Sequence, residues 1–244
     1  MTWIKDAARA SADRGRSGCA RGRAADKKAQ AMQVKMIAAA MALAVAASPA
    51  LAQDARGKQA GDILLGVGLI GVLPANGGST SIGGTPHASD AVTPQLDLTY
   101  FMTPNFAVNV IAATSRHDVS VRNVPGSGTI DLGRVWALPP TVTLQYHPFP
   151  TSRVSPYLGA GLNYTVFYGE GGGRSAGITR VDVENSWGYA LNVGVDYEIA
   201  PNWLANVDVK YIAMSPDVRV NGGAVRGEAD LNPWVVGASV RYRF

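Results

Sequence analysis

Apolar and polar residues alternate with a period of two through the C-terminal part of the chain, a pattern typical of β-strands with two different faces. In residues 234–244 one face is wholly apolar, while the other face ends in Arg241 and Arg243. Residues 187–199 and 203–213 repeat this pattern, with Trp or Tyr near both ends of each apolar face. Aromatic residues at both edges of an apolar band about 25 Å tall are typical of membrane β-barrels. The alternation therefore predicts strands whose apolar face contacts lipid.

The same alternation predicts five further strands earlier in the chain. They lie at about residues 61–73, 93–102, 106–115, 134–146 and 154–168. Short connections are predicted near 103–105, 148–153 and 200–202, and long, solvated loops near 74–92, 116–133, 169–180 and 214–230. Short turns face the periplasm and long loops face outward in outer-membrane barrels. We therefore predict an all-β fold, an eight-stranded antiparallel transmembrane β-barrel of the outer-membrane type, with both termini in the periplasm.

Residues 1–52 form a segment of different composition. They contain nine Lys and Arg against three Asp and Glu, whereas the remainder contains thirteen against fifteen. An apolar run at residues 36–47 precedes Ala50-Leu51-Ala52, which predicts a Sec signal peptide cleaved after Ala52. The run is shorter than the roughly 20 residues that span a bilayer, so we do not expect a retained anchor.

A mitochondrial presequence is also Arg-rich, but it lacks such an apolar run. Met32 and Met36 are alternative translation starts.

Several short motifs follow one another through the mature chain. They are Pro94–Tyr100, Ala112–Thr114, His117–Val119, Leu138–Thr141, Pro156–Thr165, Gly194–Tyr197, Asn202-Trp203, Leu231–Val235 and Tyr242–Phe244. Taken together, they resemble the OmpW family of outer-membrane proteins. Arg116 and Asn232 depart from the family's usual Pro before His-Asp and Asp before Pro-Trp. The resemblance implies a bacterial outer-membrane barrel whose narrow apolar channel passes small hydrophobic molecules into the membrane.

The interior of the predicted barrel combines apolar and charged positions. Eight strands enclose a space that side chains fill or that holds one small ligand, which excludes a wide aqueous pore. The expected channel lining is Ile111, Phe167, Leu204, Asp208, Lys210 and Ile212. The inward charges are Asp97, Asp196, Glu198, Asp208, Lys210, Arg241 and Arg243. Since Lys or Arg facing lipid costs about 2–4 kcal/mol at the midplane, we interpret these charges as lumen salt bridges that block water and ions.

Pro139 and Pro140 interrupt the predicted fourth strand. Successive residues of a strand point their amides toward opposite neighbours, so the two prolines remove one ladder donor on each side. Each unpaired acceptor in hydrocarbon costs several kcal/mol unless the wall opens or bends there. We therefore predict a lateral opening for solute exit, roughly across from Val110 and Ile111; the alternative is a bend without transport.

Few residues indicate catalytic or metal chemistry. His117-Asp118 is the only histidine next to a carboxylate, and Ser115 or Ser120 lies close enough in sequence to be a nucleophile. Because no hydrolase motif surrounds them, we interpret His117 and Asp118 as a hydrogen-bonded pair at the base of a loop. Three histidines and no cysteine remain in the mature chain, too few for a typical metal site. We expect no enzyme activity, no metal and no cofactor.

Three classes of function remain open. The first is a passive channel for small hydrophobic solutes, the second a structural, adhesive or receptor barrel, and the third a lipid-modifying barrel enzyme. The inward apolar residues and the resemblance favour the channel. Its expected partners are outer-membrane lipid, small hydrophobic solutes and, during biogenesis, the outer-membrane assembly machinery. We expect a monomer that binds no nucleic acid.

The C-terminal residues Tyr242 and Phe244 lead to a first prediction. They end the last alternating strand, where we expect the assembly machinery to recognise the unfolded barrel. Deletion of Phe244 is expected to leave the protein in the periplasm. Membrane fractionation and heat-dependent migration on gels measure this, and a normal folded barrel in the outer membrane would contradict the prediction.

Overall fold

A computed structural model describes residues 56–171, 181–223 and 225–244. The elements of this described part are the strands β1 (Ile63–Leu73), β2 (Gly77–Thr80), β3 (Thr85–Ala88), β4 (Ala91–Phe101), β5 (Phe106–Ala113), β6 (Ser115–Val124), β7 (Gly128–Leu138), β8 (Thr141–Tyr146), β9 (Val154–Gly171), β10 (Val181–Val183), β11 (Ser186–Ala200), β12 (Trp203–Ala213), β13 (Asp217–Val220), β14 (Val225–Asp230) and β15 (Trp234–Arg243). Within it, no helix is long and apolar enough to cross a membrane. The predicted leader, residues 1–52, lies outside the described residues.

Eight strands close into one antiparallel barrel, as the alternation predicts. In order around the ring they are β1, β4, β5, β8, β9, β11, β12 and β15, and β15 pairs back with β1. Along β12 the side chains alternate between the two sides of the wall. Val207 is 52% exposed on the lipid side, whereas Asn206 is buried inside. The predicted parity of the strands is therefore confirmed.

Aromatic pairs mark both edges of the lipid-facing surface. Near the short turns, Trp203 packs on Tyr242 with ring centroids 4.9 Å apart. Near the long connections, Tyr211 packs on Trp234 at 5.0 Å, at the other end of the same two strands. Aromatic rings favour this position because one part of each ring is apolar and the other reaches water. The two girdles define the height of the membrane-spanning wall.

The long connections contain strands that the sequence analysis predicted as solvated loops. β6 and β7 extend the barrel wall outward, β3 pairs with β6, and β10, β13, β14 and β2 form a second sheet. Their inward valines and leucine bury an apolar cluster that includes Val121, Leu132, Val181 and Val220. The loop prediction was wrong in these parts. Their alternating runs are short and contain glycine and charged residues, so they look like loops in the sequence, and they form strands only because they pair with one another.

The residues before β1 close the periplasmic end of the barrel, which sequence reasoning missed. The amide of Lys58 donates to the carbonyl of Pro150 at 2.8 Å, and Arg243 donates to the carbonyl of Gly57 at 2.5 Å. Lys58 is only 4% exposed. No alternation runs through these residues, so the pattern gave no signal for them. We name residues 56–62 the N-terminal strap.

The exposed position of Val207 leads to a second prediction. Val207→Arg places a charge in hydrocarbon near the middle of β12 and is expected to destabilise the barrel by about 2–4 kcal/mol. Urea unfolding in lipid vesicles measures this change. Val207→Leu is the matched control because it keeps the site apolar, and equal stability of the two variants would contradict the lipid-facing assignment.

Candidate functional site

An apolar cavity of about 120 Å³ lies in the upper part of the barrel and continues between the outward extensions of the strands. Ile111 of β5, Phe167 of β9 and Ile212 of β12 contribute to its lining. These residues face inward because their lipid-facing neighbours alternate with them along each strand. Three predicted lining residues are thus brought together by three different strands.

The other three predicted lining residues do not reach this cavity. Leu204 lies at the periplasmic end, in a separate apolar cluster with Leu64, Phe101 and Ala107. Asp208 and Lys210 form a buried ion pair with each other below the cavity. All three side chains point inward as predicted. The alternation along a strand determines only whether a side chain faces the lumen or the lipid, and the height of the residue along the barrel decides which cavity it lines.

The wall beside the cavity contains a gap in its hydrogen-bond ladder. β5 pairs with β8 up to Ile111 and Thr141, and pairing resumes only at Ser115 of β6 and Ala137 of β7. Among the described residues, no ladder pair joins Ala112–Thr114 to Leu138–Pro140. We name this interval the ladder gap.

The two prolines act on different sides of their strand. The amide of Tyr164 donates to the carbonyl of Pro140 at 3.1 Å, so Pro140 faces β9. Its neighbour Pro139 therefore faces β5 and β6, toward the ladder gap. The hydroxyl of Thr141 donates to the carbonyl of Pro139 at 3.0 Å, which satisfies that acceptor without a strand partner. Pro139 also lines the cavity.

The register places the ladder gap higher than the sequence predicted. We expected Pro139 across from Val110 and Ile111, but Ile111 pairs with Thr141, and continuing this register sets Pro139 opposite Ala113. The prediction assumed a turn in the middle of the connecting loop. The turn between Val124 and Gly128 instead lies slightly further along the chain than the middle of the predicted loop at 116–133, and this difference shifts the register.

A charged layer fills the barrel below the cavity. Arg241 contacts Asp97 at 3.0 Å and Asp196 at 2.9 Å, and all three side chains are almost completely buried. The side-chain amide of Asn206 donates to Asp196 at 2.8 Å and to the hydroxyl of Tyr157 at 3.0 Å. This network joins β4, β9, β11, β12 and β15 across the lumen. Paired polar side chains therefore cross the lumen at this height.

The N-terminal strap adds a cation to this layer. Nζ of Lys58 lies 3.1 Å from the second carboxylate oxygen of Asp196. Lower still, Arg243 contacts Glu198 at 3.2 Å, and the amide of Arg56 donates to the same carboxylate at 3.0 Å. The predicted inward charges are therefore paired with one another or with the strap.

Gly66 makes room for the charged layer. A Cβ atom at this position would overlap the carboxylate of Asp97 and crowd the side chain of Arg241. A larger residue in β1 would push these two charges apart. The glycine-rich alternation of β1 is thus explained by close approach inside a narrow barrel.

A small polar cluster lies at the upper edge of the ladder gap. Oγ of Ser115 lies 2.8 Å from Nε2 of His117, and Nδ1 of His117 lies 2.6 Å from the carbonyl oxygen of Ser89. Ser115 and His117 are 3% and 8% exposed, and both line the cavity. They share one face of β6 because they are two residues apart in a strand.

The outward charges of Arg116 and Asp118 place His117 above the hydrocarbon region. Burial lowers the pKa of His117, and this effect exceeds the opposing influences of the Ser89 carbonyl and the carboxylates of Asp90 and Asp118. The ring is therefore neutral near pH 7. A neutral ring has one N–H and one acceptor nitrogen, so it can donate only one of its two hydrogen bonds with Ser89 and Ser115 and must accept the other.

The predicted hydrogen-bonded pair of His117 and Asp118 is not formed. Adjacent residues of a strand point to opposite faces, so His117 faces the cavity while Asp118 faces outward. Asp118 instead contacts Arg134 of β7 at 3.3 Å, and both side chains are largely exposed. Within the described residues, no group of three His, Cys, Asp or Glu side chains is arranged to hold a metal ion.

The predicted assembly residues lie at the lower girdle. Tyr242 contacts both Trp203 and Phe244 on the lipid side, and the amide of Phe244 donates to the carbonyl of Ile63 at 2.9 Å. Asn232, which replaces the Asp expected from the resemblance, accepts a hydrogen bond from the amide of Met214 at 2.9 Å. An amide oxygen fulfils this role as a carboxylate would.

Comparisons with known proteins agree with this architecture. A model of the OmpW family matches residues 59–244. Outer membrane protein W of Escherichia coli is 35% identical, over 82% of this chain and 97% of that protein. The dibenzothiophene metabolism operon protein PahQ of Pseudomonas aeruginosa is 27% identical, over 66% of this chain and 76% of that protein. The crystal structure of OprG from Pseudomonas aeruginosa matches with a TM-score of 0.72 and 28% identity, covering 78% of this chain and 99% of that one.

The charged layer leads to a third prediction. Arg241→Leu leaves the buried carboxylates of Asp97 and Asp196 short of a cation and is expected to cost about 3–5 kcal/mol of stability. Urea unfolding in detergent micelles measures the change. Arg219→Leu is the control, because its ion pair with Glu184 is about half exposed and worth about 0–1 kcal/mol. Similar losses in both variants would contradict the role of the charged layer.

Proposed function

The chain belongs to the OmpW family of bacterial outer-membrane proteins, and on that premise we propose that it is a narrow channel for passive uptake of small hydrophobic molecules. A solute enters the apolar cavity from outside and leaves sideways through the ladder gap into the membrane. The observation that carries the proposal is the position of the gap, because Pro139 is both part of the cavity lining and part of the interrupted wall.

The contents of the cavity and of the lower barrel select the solute and its direction. Transfer of an apolar molecule from water into the cavity lined by Ile111, Phe167 and Ile212 lowers its free energy. Below the cavity it meets the paired charges of Asp208, Lys210 and Arg241. Displacing a paired charge from its partner in a dry interior is costly, so passage straight down to the periplasm is disfavoured. Sideways exit avoids that cost.

The ladder gap gives the sideways route a low barrier. In a complete ladder, separating two strands within hydrocarbon would expose several backbone donors and acceptors to lipid. At Pro139 one donor is absent, and its carbonyl already accepts a bond from its own neighbour Thr141. Fewer strand-to-strand bonds therefore have to break for a solute to pass.

One relative supports the solute class by its name. PahQ is named for a dibenzothiophene metabolism operon, and dibenzothiophene is a flat apolar heterocycle. The relatives of this chain are outer-membrane barrel proteins, and we propose a non-enzymatic role. We further propose that the barrel works as a monomer surrounded by outer-membrane lipid and is inserted by the assembly machinery that recognises its last strand.

The fourth prediction tests the sideways route. Pro139→Val supplies an N–H toward Ala113 and is expected to strengthen the wall at the gap, so uptake of naphthalene by intact cells falls toward that of cells without the barrel. Pro140→Val is the matched control, since its new N–H faces β9, where Thr141–Asn163 and Leu138–Val166 already pair.

Correct insertion of each variant is checked by heat-dependent migration. Unchanged naphthalene uptake in a correctly inserted Pro139→Val barrel would exclude lateral exit at this gap. Equal loss in both proline variants would indicate that the bend of the strand, and not the gap, controls uptake.

A further inference from the structure

The hydroxyl of Ser115 is a polar group in the wall of the apolar cavity, and we propose that it binds the hydroxyl group of alcohols and phenols with an otherwise apolar body. This inference rests on the proposed channel function and names the class of solute that the cavity prefers. The binding of such a hydroxyl group depends on whether Ser115 is the donor or the acceptor in its hydrogen bond with His117.

The hydrogen-bond partners of His117 fix the direction of its two bonds. The carbonyl oxygen of Ser89, 2.6 Å from Nδ1, only accepts, so Nδ1 carries the ring hydrogen. Nε2 of the neutral ring then has no hydrogen and accepts from the hydroxyl of Ser115, 2.8 Å away. The hydroxyl hydrogen of Ser115 is therefore occupied. Among the described contacts no donor reaches its oxygen, whose lone pairs are left for a donor from a solute.

The surroundings of Ser115 make this acceptor selective. Ile111, Ala113 and Phe167 contribute carbon surface to the same cavity. A solute hydroxyl that enters loses its bonds to water, and burial without a new partner weakens binding by about tenfold or more. A hydrogen bond to Ser115 removes that penalty. An ether or ketone oxygen has no hydrogen to donate and faces lone pairs instead.

The position of Ser115 also fits the proposed exit route. Its pair with Ala137 is the first one above the ladder gap. The preceding residue, Thr114, is exposed on the lipid side, and its hydroxyl contacts that of Tyr168 on β9. Hydroxyl groups thus lie on both sides of the wall at one height. An alcohol leaving through the gap keeps its hydroxyl at the membrane interface while its apolar body enters hydrocarbon, as amphipathic groups orient in a bilayer.

Two isomeric probes test the inference. 1-Octanol and 1-methoxyheptane have the same atoms, but only the alcohol donates a hydrogen bond. After subtraction of uptake by barrel-free cells, we expect cells with the native barrel to take up the alcohol about tenfold faster than the ether. This ratio corresponds to the contribution of about one hydrogen bond in a dry site. Ser115→Ala is expected to bring this ratio close to one. Ser186→Ala is the control, since Ser186 is a buried serine that donates to the carbonyl of Trp187 at 3.2 Å and lies outside the cavity lining.

Nitrogen NMR of the barrel with labelled histidine, in lipid nanodiscs, gives a direct second measurement. A donor bound to Ser115 polarises its hydroxyl and strengthens the bond to His117, so 1-octanol is expected to shift the Nε2 signal while 1-methoxyheptane leaves it in place. An unchanged uptake ratio in Ser115→Ala, or equal shifts with both probes, would overturn the inference while the channel function stands. Uptake of both probes at the barrel-free level would overturn the channel function itself.

Discussion

Backbone amides and carbonyls inside a membrane have no water to bond, so the wall of this protein must satisfy them by strand pairing. Eight antiparallel strands achieve this by closing on themselves, since β15 pairs with β1 over ten residues of register. The ladder gap between Ile111–Thr141 and Ser115–Ala137 interrupts this pairing. Pro139 lacks the donor there, and its own carbonyl accepts from the hydroxyl of Thr141 and not from the facing strand, so the interruption is built from local chemistry. The same constraint that closes the barrel thus defines where we propose that it opens.

Closure also forces a division of the interior. A narrow lumen leaves little space for water, so inward charges are stable only with partners. Arg241 holds Asp97 and Asp196, and Lys58 of the N-terminal strap completes the layer. Above it, apolar side chains leave a cavity in whose wall the hydroxyl of Ser115 donates to His117. The lower half therefore stabilises and seals the barrel, while the upper half and the ladder gap carry the proposed transport.

The sequence by itself determined the wall. A side-chain period of two is a local property of a strand, so the alternation around Val207 predicted the strand, its lipid face and its inward charges correctly. The alternation likewise predicted the eight strands of the barrel, and the spacing of aromatic residues predicted both girdles. The missing donors of Pro139 and Pro140 were also readable, because they follow from covalent structure alone.

Contacts between distant segments were decided only by the tertiary structure. Alternation fixes the side of the wall to which Leu204 points, but not its height, and height separates it from the cavity that holds Ile212. The turn after Val124 set the register that moved Pro139 opposite Ala113. The bond of His117 to Ser89 joins β6 to the segment between β3 and β4, and that of Lys58 to Asp196 joins the N-terminal strap to β11. Such contacts depend on closure of the whole ring, because closure sets the distance between residues that no local pattern relates.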